Sequence, residues 1–175
     1  MELRPHGMYT LVLLAAGLNG CSSEKSTPAA ALSTLSPVGS VEPAAGGGSQ
    51  GILTVRYPSA AGQMMEARVL LNSQLDGRNA CYVYYTRSEN AFSLVDDSGM
   101  KSNNASAGAT VLENSQCALD ISHSSVRAES SGVTLTLALK FKAPFAGQKQ
   151  VFLYSETSDG ANTGLQPRGS WNVTF

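Results

Sequence analysis

The stretch Val133-Thr134-Leu135-Thr136-Leu137-Ala138-Leu139-Lys140-Phe141 alternates without a break. Val133, Leu135, Leu137, Leu139 and Phe141 share one face of an extended chain; Thr134, Thr136, Ala138 and Lys140 share the other. Successive strand side chains point to opposite faces, so this run predicts a strand with one face in a core and the other toward water. Working outward, period-two or short apolar runs predict further strands at residues 52–57, 66–72, 80–87, 92–95, 110–113, 117–122, 124–128, 151–155 and 170–175. Asp76-Gly77, Asp97-Ser98-Gly99, Ser131-Gly132, Ala146-Gly147 and Asp159-Gly160 supply turn chemistry between them. No stretch of helical period runs past two turns. The expectation is an all-β domain over residues 50–175, an Ig-like antiparallel β-sandwich of about 7–10 strands.

The chain carries 12 Lys and Arg against 13 Asp and Glu, so its net charge of −1 gives no basic stripe for nucleic acid. Only 14% of residues are charged, while Ser, Thr, Asn and Gly are plentiful. Such a surface is polar through hydroxyls and amides, which suits an exported β-protein.

The N-terminus has the parts of an export signal. Arg4 makes the leading positive region, and residues 8–18 form an apolar run too short to span a bilayer. Leu18-Asn19-Gly20-Cys21 follows, and it resembles the lipobox of bacterial lipoprotein precursors: aliphatic at −3, small at −1, Cys at +1. The resemblance implies cleavage after residue 20, a diacylglyceryl group on the Cys21 thiol and a fatty acyl chain, such as palmitate, on its amine. Ser22, rather than Asp, follows the cysteine, and this favours the outer membrane of a bacterial envelope. The membrane is then a partner through the lipid, which with two or more chains holds stably. Residues 21–49 are expected to be a flexible tether, rich in Ser, Ala, Gly and Pro, with Gly46-Gly47-Gly48 near its end; Pro28, Pro37 and Pro43 argue against a helix there.

Setting Cys21 aside leaves Cys81 and Cys117, both in predicted strands. Cys81 shares a face with Val83 and Tyr85, and Cys117 with Leu119 and Ile121, so both thiols point into the apolar layer. An even pair in an exported chain predicts a disulfide.

Residues for chemistry are scarce. His123 is the only histidine after the export signal, and no G-x-S-x-G or zinc-ligand spacing accompanies it. No cofactor is expected, and the domain is expected to be non-enzymatic. Two binding possibilities stand beside that. Asp96, Asp97, Asp159 and Asn162 are oxygen donors on turns and are weak calcium candidates. Tyr82 and Tyr84 lie on the face opposite Cys81; exposed, they would form a platform for stacking on sugar rings, and packed, an ordinary cross-strand pair. The partner is expected to be a protein or a polysaccharide.

The segments Leu70-Leu71-Asn72-Ser73, Asn79-Ala80-Cys81-Tyr82-Val83-Tyr84-Tyr85, Asn114-Ser115-Gln116-Cys117, Leu135-Thr136-Leu137 with Phe141, Phe145-Ala146-Gly147 and Gly169-Ser170-Trp171 occur in that order. Together they resemble an uncharacterised Ig-like or fibronectin-like accessory domain of secreted, often multidomain, bacterial proteins. The resemblance implies a strand-rich core around the cysteine pair and transfers no functional residue.

Overall fold

The computed structural model describes residues 38–58, 63–100, 102–104 and 110–175. Residues 1–37, on which the expected export signal, Cys21 and most of the expected tether fall, lie outside the described residues. Twelve strands follow in order among the described residues: β1 Ser40–Glu42, β2 Ala45–Gly47, β3 Gln50–Pro58, β4 Met64–Asn72, β5 Cys81–Thr86, β6 Ala91–Val95, β7 Ser102–Asn104, β8 Val111–Glu113, β9 Cys117–Glu129, β10 Gly132–Phe141, β11 Gly147–Thr157 and β12 Gln166–Val173. They make a five-stranded sheet, β1-β3-β10-β9-β8, and a seven-stranded sheet, β2-β12-β11-β4-β5-β6-β7. Every pairing is antiparallel except β2 with β12. The sandwich expected from the alternation is therefore present; β1-β3-β10-β9 facing β12-β11-β4-β5-β6 follows the A-B-E-D and G-F-C-C′-C″ order of a variable-type immunoglobulin domain, with β8, β2 and β7 added at the sheet edges.

The core lies between the sheets. Leu53, Val55 and Tyr57 of β3 and Leu135, Leu137 and Leu139 of β10 face Ala67, Val69 and Leu71 of β4 and Val151 and Leu153 of β11, all at most 3% exposed. Each buried Val or Leu contributes about 1.5–3 kcal/mol. Cys81 on β5 and Cys117 on β9 form a disulfide across the two sheets, with Cα atoms 5.6 Å apart. Antibody domains bridge strands B and F; the matching strands here, β3 and β11, meet through aliphatic side chains instead. Beside the bridge, the Asn114 amide donates to the carbonyls of Ala80 and Val95, both at 2.8 Å, and its oxygen accepts from the N–H groups of Gln116 and Cys117, both at 2.9 Å.

Two expectations are corrected. First, the folded domain begins before residue 50. Residues 40–42 and 45–47 are not tether but edge strands, one in each sheet, with the chain crossing at Pro43, which has no N–H for a ladder. Val41 is 4% exposed in the core. The glycine run is a seat for Trp171: a Cβ at Gly46 or Gly51 would come within 2.2 Å of the indole ring. The indole N–H donates to the Gly48 carbonyl at 2.9 Å. Second, no break separates the strands expected at 117–122 and 124–128; β9 runs through His123 with a bulge opposite Thr136–Ala138. The Ser124 hydroxyl spans the bulge, donating to the Asp120 carbonyl at 2.6 Å and accepting from the Ala138 N–H at 3.0 Å.

Candidate functional site

On the seven-stranded sheet, register sets the outward side chains in rows across β5, β4 and β11. Tyr82, Leu70 and Phe152 form one row, Tyr84, Arg68 and Tyr154 the next, and Thr86, Glu66 and Glu156 the third. The first row is not exposed. Tyr82 is 6% exposed and packs with Leu70, Ala80, Val95 and Phe152 in a second apolar cluster. Gly77, in the loop between β4 and β5, lies against its ring. An exposed Tyr82–Tyr84 platform is thereby corrected: the rings are 4.8 Å apart and tilted by 37°, and Tyr82 is covered by the protein's own loop.

The middle row is half-buried. The Arg68 guanidinium lies 4.7 Å from the centre of the Tyr84 ring and 4.3 Å from that of Tyr154, a cation between two aromatic rings. Arg68 also pairs with Glu66, and the Tyr154 hydroxyl donates to Glu156 at 2.6 Å. Burial raises the Tyr84 phenol well above its ordinary range, and a hydrogen bond with Tyr82 adds to this. Burial, with the bond to Glu156, pushes Tyr154 up to about 12. For Arg68, burial opposes the charge, but the hydrogen bonds with Glu66 and Tyr82 outweigh it and hold the guanidinium protonated.

The four calcium candidates are not brought together. Asp96 and Asp97 follow β6 and Asp159 and Asn162 follow β11, at opposite ends of the seven-stranded sheet. Asp96 accepts from the N–H and hydroxyl of Ser98 at 3.0 and 2.5 Å, and Asp97 from the Ser115 hydroxyl at 2.8 Å. Asp159 accepts from the Thr157 hydroxyl at 2.6 Å, and Asn162 from the Gly164 N–H at 3.2 Å. These carboxylates hold turns. Among the described residues, no group of three or more His, Cys, Asp or Glu is placed to hold a metal ion.

The five-stranded sheet has a different outer face. Across β3, β10, β9 and β8, register sets Ile52, Ala138, Asp120 and Val111 in one row and Gln50, Lys140, Ala118 and Glu113 in the next. Ala138 and Ala118 are short, so a hollow of about 390 Å³ opens above them, walled by Ile52, Val111, Lys140 and His123. Ile52 is 59% and Val111 48% exposed, although both are aliphatic. His123 stands at the rim with its Nδ1 2.8 Å from Asp120 Oδ2, and this bond holds the Asp120 carboxyl below its usual range. The face was not singled out from the sequence. Its signal was there in Ile52 and Ala138, apolar residues on the water-facing phase of their strands.

No protein-family model matches the chain, and no curated protein proves similar to it. The class of the molecule thus rests on its own architecture, an Ig-like sandwich of variable-type strand order carrying one self-covered and one open outer face.

Proposed function

We propose that this protein is a lipid-anchored, extracytoplasmic Ig-like module of a bacterial envelope, acting by binding rather than by catalysis. The observation that carries the binding part is the open hollow on the five-stranded sheet, where exposed Ile52 and Val111 flank two alanines inside a rim of both charge signs. Contiguous exposed apolar surface with a polar rim is what an interaction face offers. His123 and the carboxylates of Asp97 and Asp159 support a non-catalytic role, because each is engaged in holding a turn or a neighbour. Leu18-Asn19-Gly20-Cys21 carries the anchoring part, with Ser22 favouring the outer membrane.

Two measurements test this reading. The natural chain should take up a fatty-acid label and sediment with membranes, and Cys21→Ser should abolish labelling and move the chain to the soluble fraction; a Cys21→Ser chain that stays with membranes would sink the lipid anchor. Ile52→Lys should abolish capture of the partner by cross-linking in envelope preparations while leaving thermal unfolding unchanged.

A polysaccharide-binding reading is favoured by one observation, the partial exposure of Tyr84 and Tyr154 around Arg68. Affinity electrophoresis against envelope polysaccharides tests it: retardation lost in Tyr84→Ala and Tyr154→Ala would move the binding site to the seven-stranded sheet.

A further inference from the structure

The outer face of the five-stranded sheet is self-complementary. Its first row reads Ile52, Ala138, Asp120, Val111, and its second reads Gln50, Lys140, Ala118, Glu113. A two-fold axis parallel to the strands, between β10 and β9, reverses each row onto itself. Ile52 then meets the second copy's Val111, and Gln50 meets the second copy's Glu113. Lys140 falls on the second copy's Ala118, whose short side chain leaves room for the lysine stem, and its ammonium reaches the second copy's Asp120. Among the described residues the Lys140 side chain has no ion pair or hydrogen bond of its own.

We infer that the partner bound at this face is a second copy of the same chain, in a symmetric face-to-face dimer. The inference rests on the binding reading above and names its partner. Where the chain enters the domain supports the choice of axis. Val38 and Gly39 approach the end of β3 at Arg56 and Tyr57, and the face lies toward the opposite end, at Gln50–Ile52. An axis parallel to the strands leaves Val38 of both copies at the same end of the dimer, as two chains anchored to one membrane require. An axis across the strands would send the two Val38 residues to opposite ends.

The size of the face sets the strength. Four strands at about 4.8 Å spacing and two rows of side chains cover well below the roughly 800 Å² per partner of a standard interface. The dimer is therefore weak in free solution. Two chains held to one membrane are at high effective concentration, which is where such a face associates.

Cross-linking tests the register. Chains carrying Ile52→Cys and Val111→Cys are purified from membranes, mixed in liposomes and treated with a short bismaleimide. Both positions are exposed, so the fold tolerates them. The mixture should give several-fold more linked dimer than either variant alone. The two Ile52 positions of one dimer stand about 14 Å apart along the sheets as well as one sheet spacing apart across them. Lys140→Glu in both chains should cut the yield severalfold. Equal linking in single variants and mixture, an equal yield from the exposed loop variant Leu75→Cys, or a linked species holding a different protein would overturn the dimer. The chain without added cysteine reads the anchor separately. Linking there shows a free Cys21 thiol and sinks the lipid anchor, and the same comparison in a Cys21→Ser background, in detergent, then decides the dimer.

Discussion

The outer faces of the two sheets carry apolar residues on the same unexpected phase, and the protein treats them in opposite ways. On the seven-stranded sheet, Tyr82, Leu70 and Phe152 are covered, in part by the loop that holds Gly77, and become a second core. On the five-stranded sheet, Ile52 and Val111 stay in water beside a hollow floored by alanines. An apolar side chain outside the main core is thus structural where a loop lies over it; Ile52 and Val111, left exposed, carry the proposed binding face. Of the tyrosine pair, which the sequence left between a sugar-stacking platform and ordinary cross-strand packing, Tyr82 belongs to the first kind, while Tyr84 stays half-buried beside Arg68.

Breaking the bond that joins the two sheets should have the largest effect. The double variant Cys81→Ala, Cys117→Ala removes a closure over 36 residues of sequence and should cost about 4 kcal/mol in the chain-entropy view. Urea unfolding would show it, and a loss under a tenth of that would mean the bridge does not constrain the unfolded chain. Tyr82→Ala should cost about 3 kcal/mol, because it empties a filled pocket under a loop. Gly46→Val should cost about 1–3 kcal/mol by pushing into the indole of Trp171, read as a lowered melting temperature with a shift in tryptophan fluorescence. Ile52→Ala should stay within about 0.5 kcal/mol, as an exposed substitution does. If Ile52→Ala proved as costly as Tyr82→Ala, the contrast between the faces would fail.

High pH sharpens the same contrast. Burial first, and the Glu156 bond second, raise Tyr154 from 10.0 to about 12, and burial raises Tyr57, Tyr84 and Tyr85 as well. A phenol that ionises later when folded favours the folded state fully below its unfolded pKa, near 10. That contribution is lost as pH rises from about 10 through 12 and beyond. Stability should therefore fall steeply above pH 10, and Tyr154→Phe should make the fall shallower. An identical alkaline profile in Tyr154→Phe would remove this phenol from the linkage.

Much of the architecture was legible. The alternation of residues 133–141 appears as β10, at the centre of its sheet, and the shared phase of Cys81 and Cys117 appears as the inter-sheet disulfide. The glycine run at 46–48 was illegible because its composition is that of a linker; what makes it a strand is an indole more than 120 residues away in sequence. The break expected at His123 failed because polar Ser122, His123 and Ser124 weaken the alternation, while the Ser124 hydroxyl takes up the groups the bulge leaves unpaired. Ile52 and Ala138 marked the open face, but whether it is open depends on where loops from other strands pass.

Local physics, readable from neighbouring residues, determined the all-β class, the inward phase of each main strand and the pairing of the two core cysteines. Side-chain alternation and thiol direction depend on the backbone within a few residues, so a sequence states them directly. The tertiary structure alone decided where the domain begins, which tyrosine is covered and which face is left to water. Those depend on contacts between segments far apart in the chain, such as Trp171 on Gly46 and Gly77 on Tyr82.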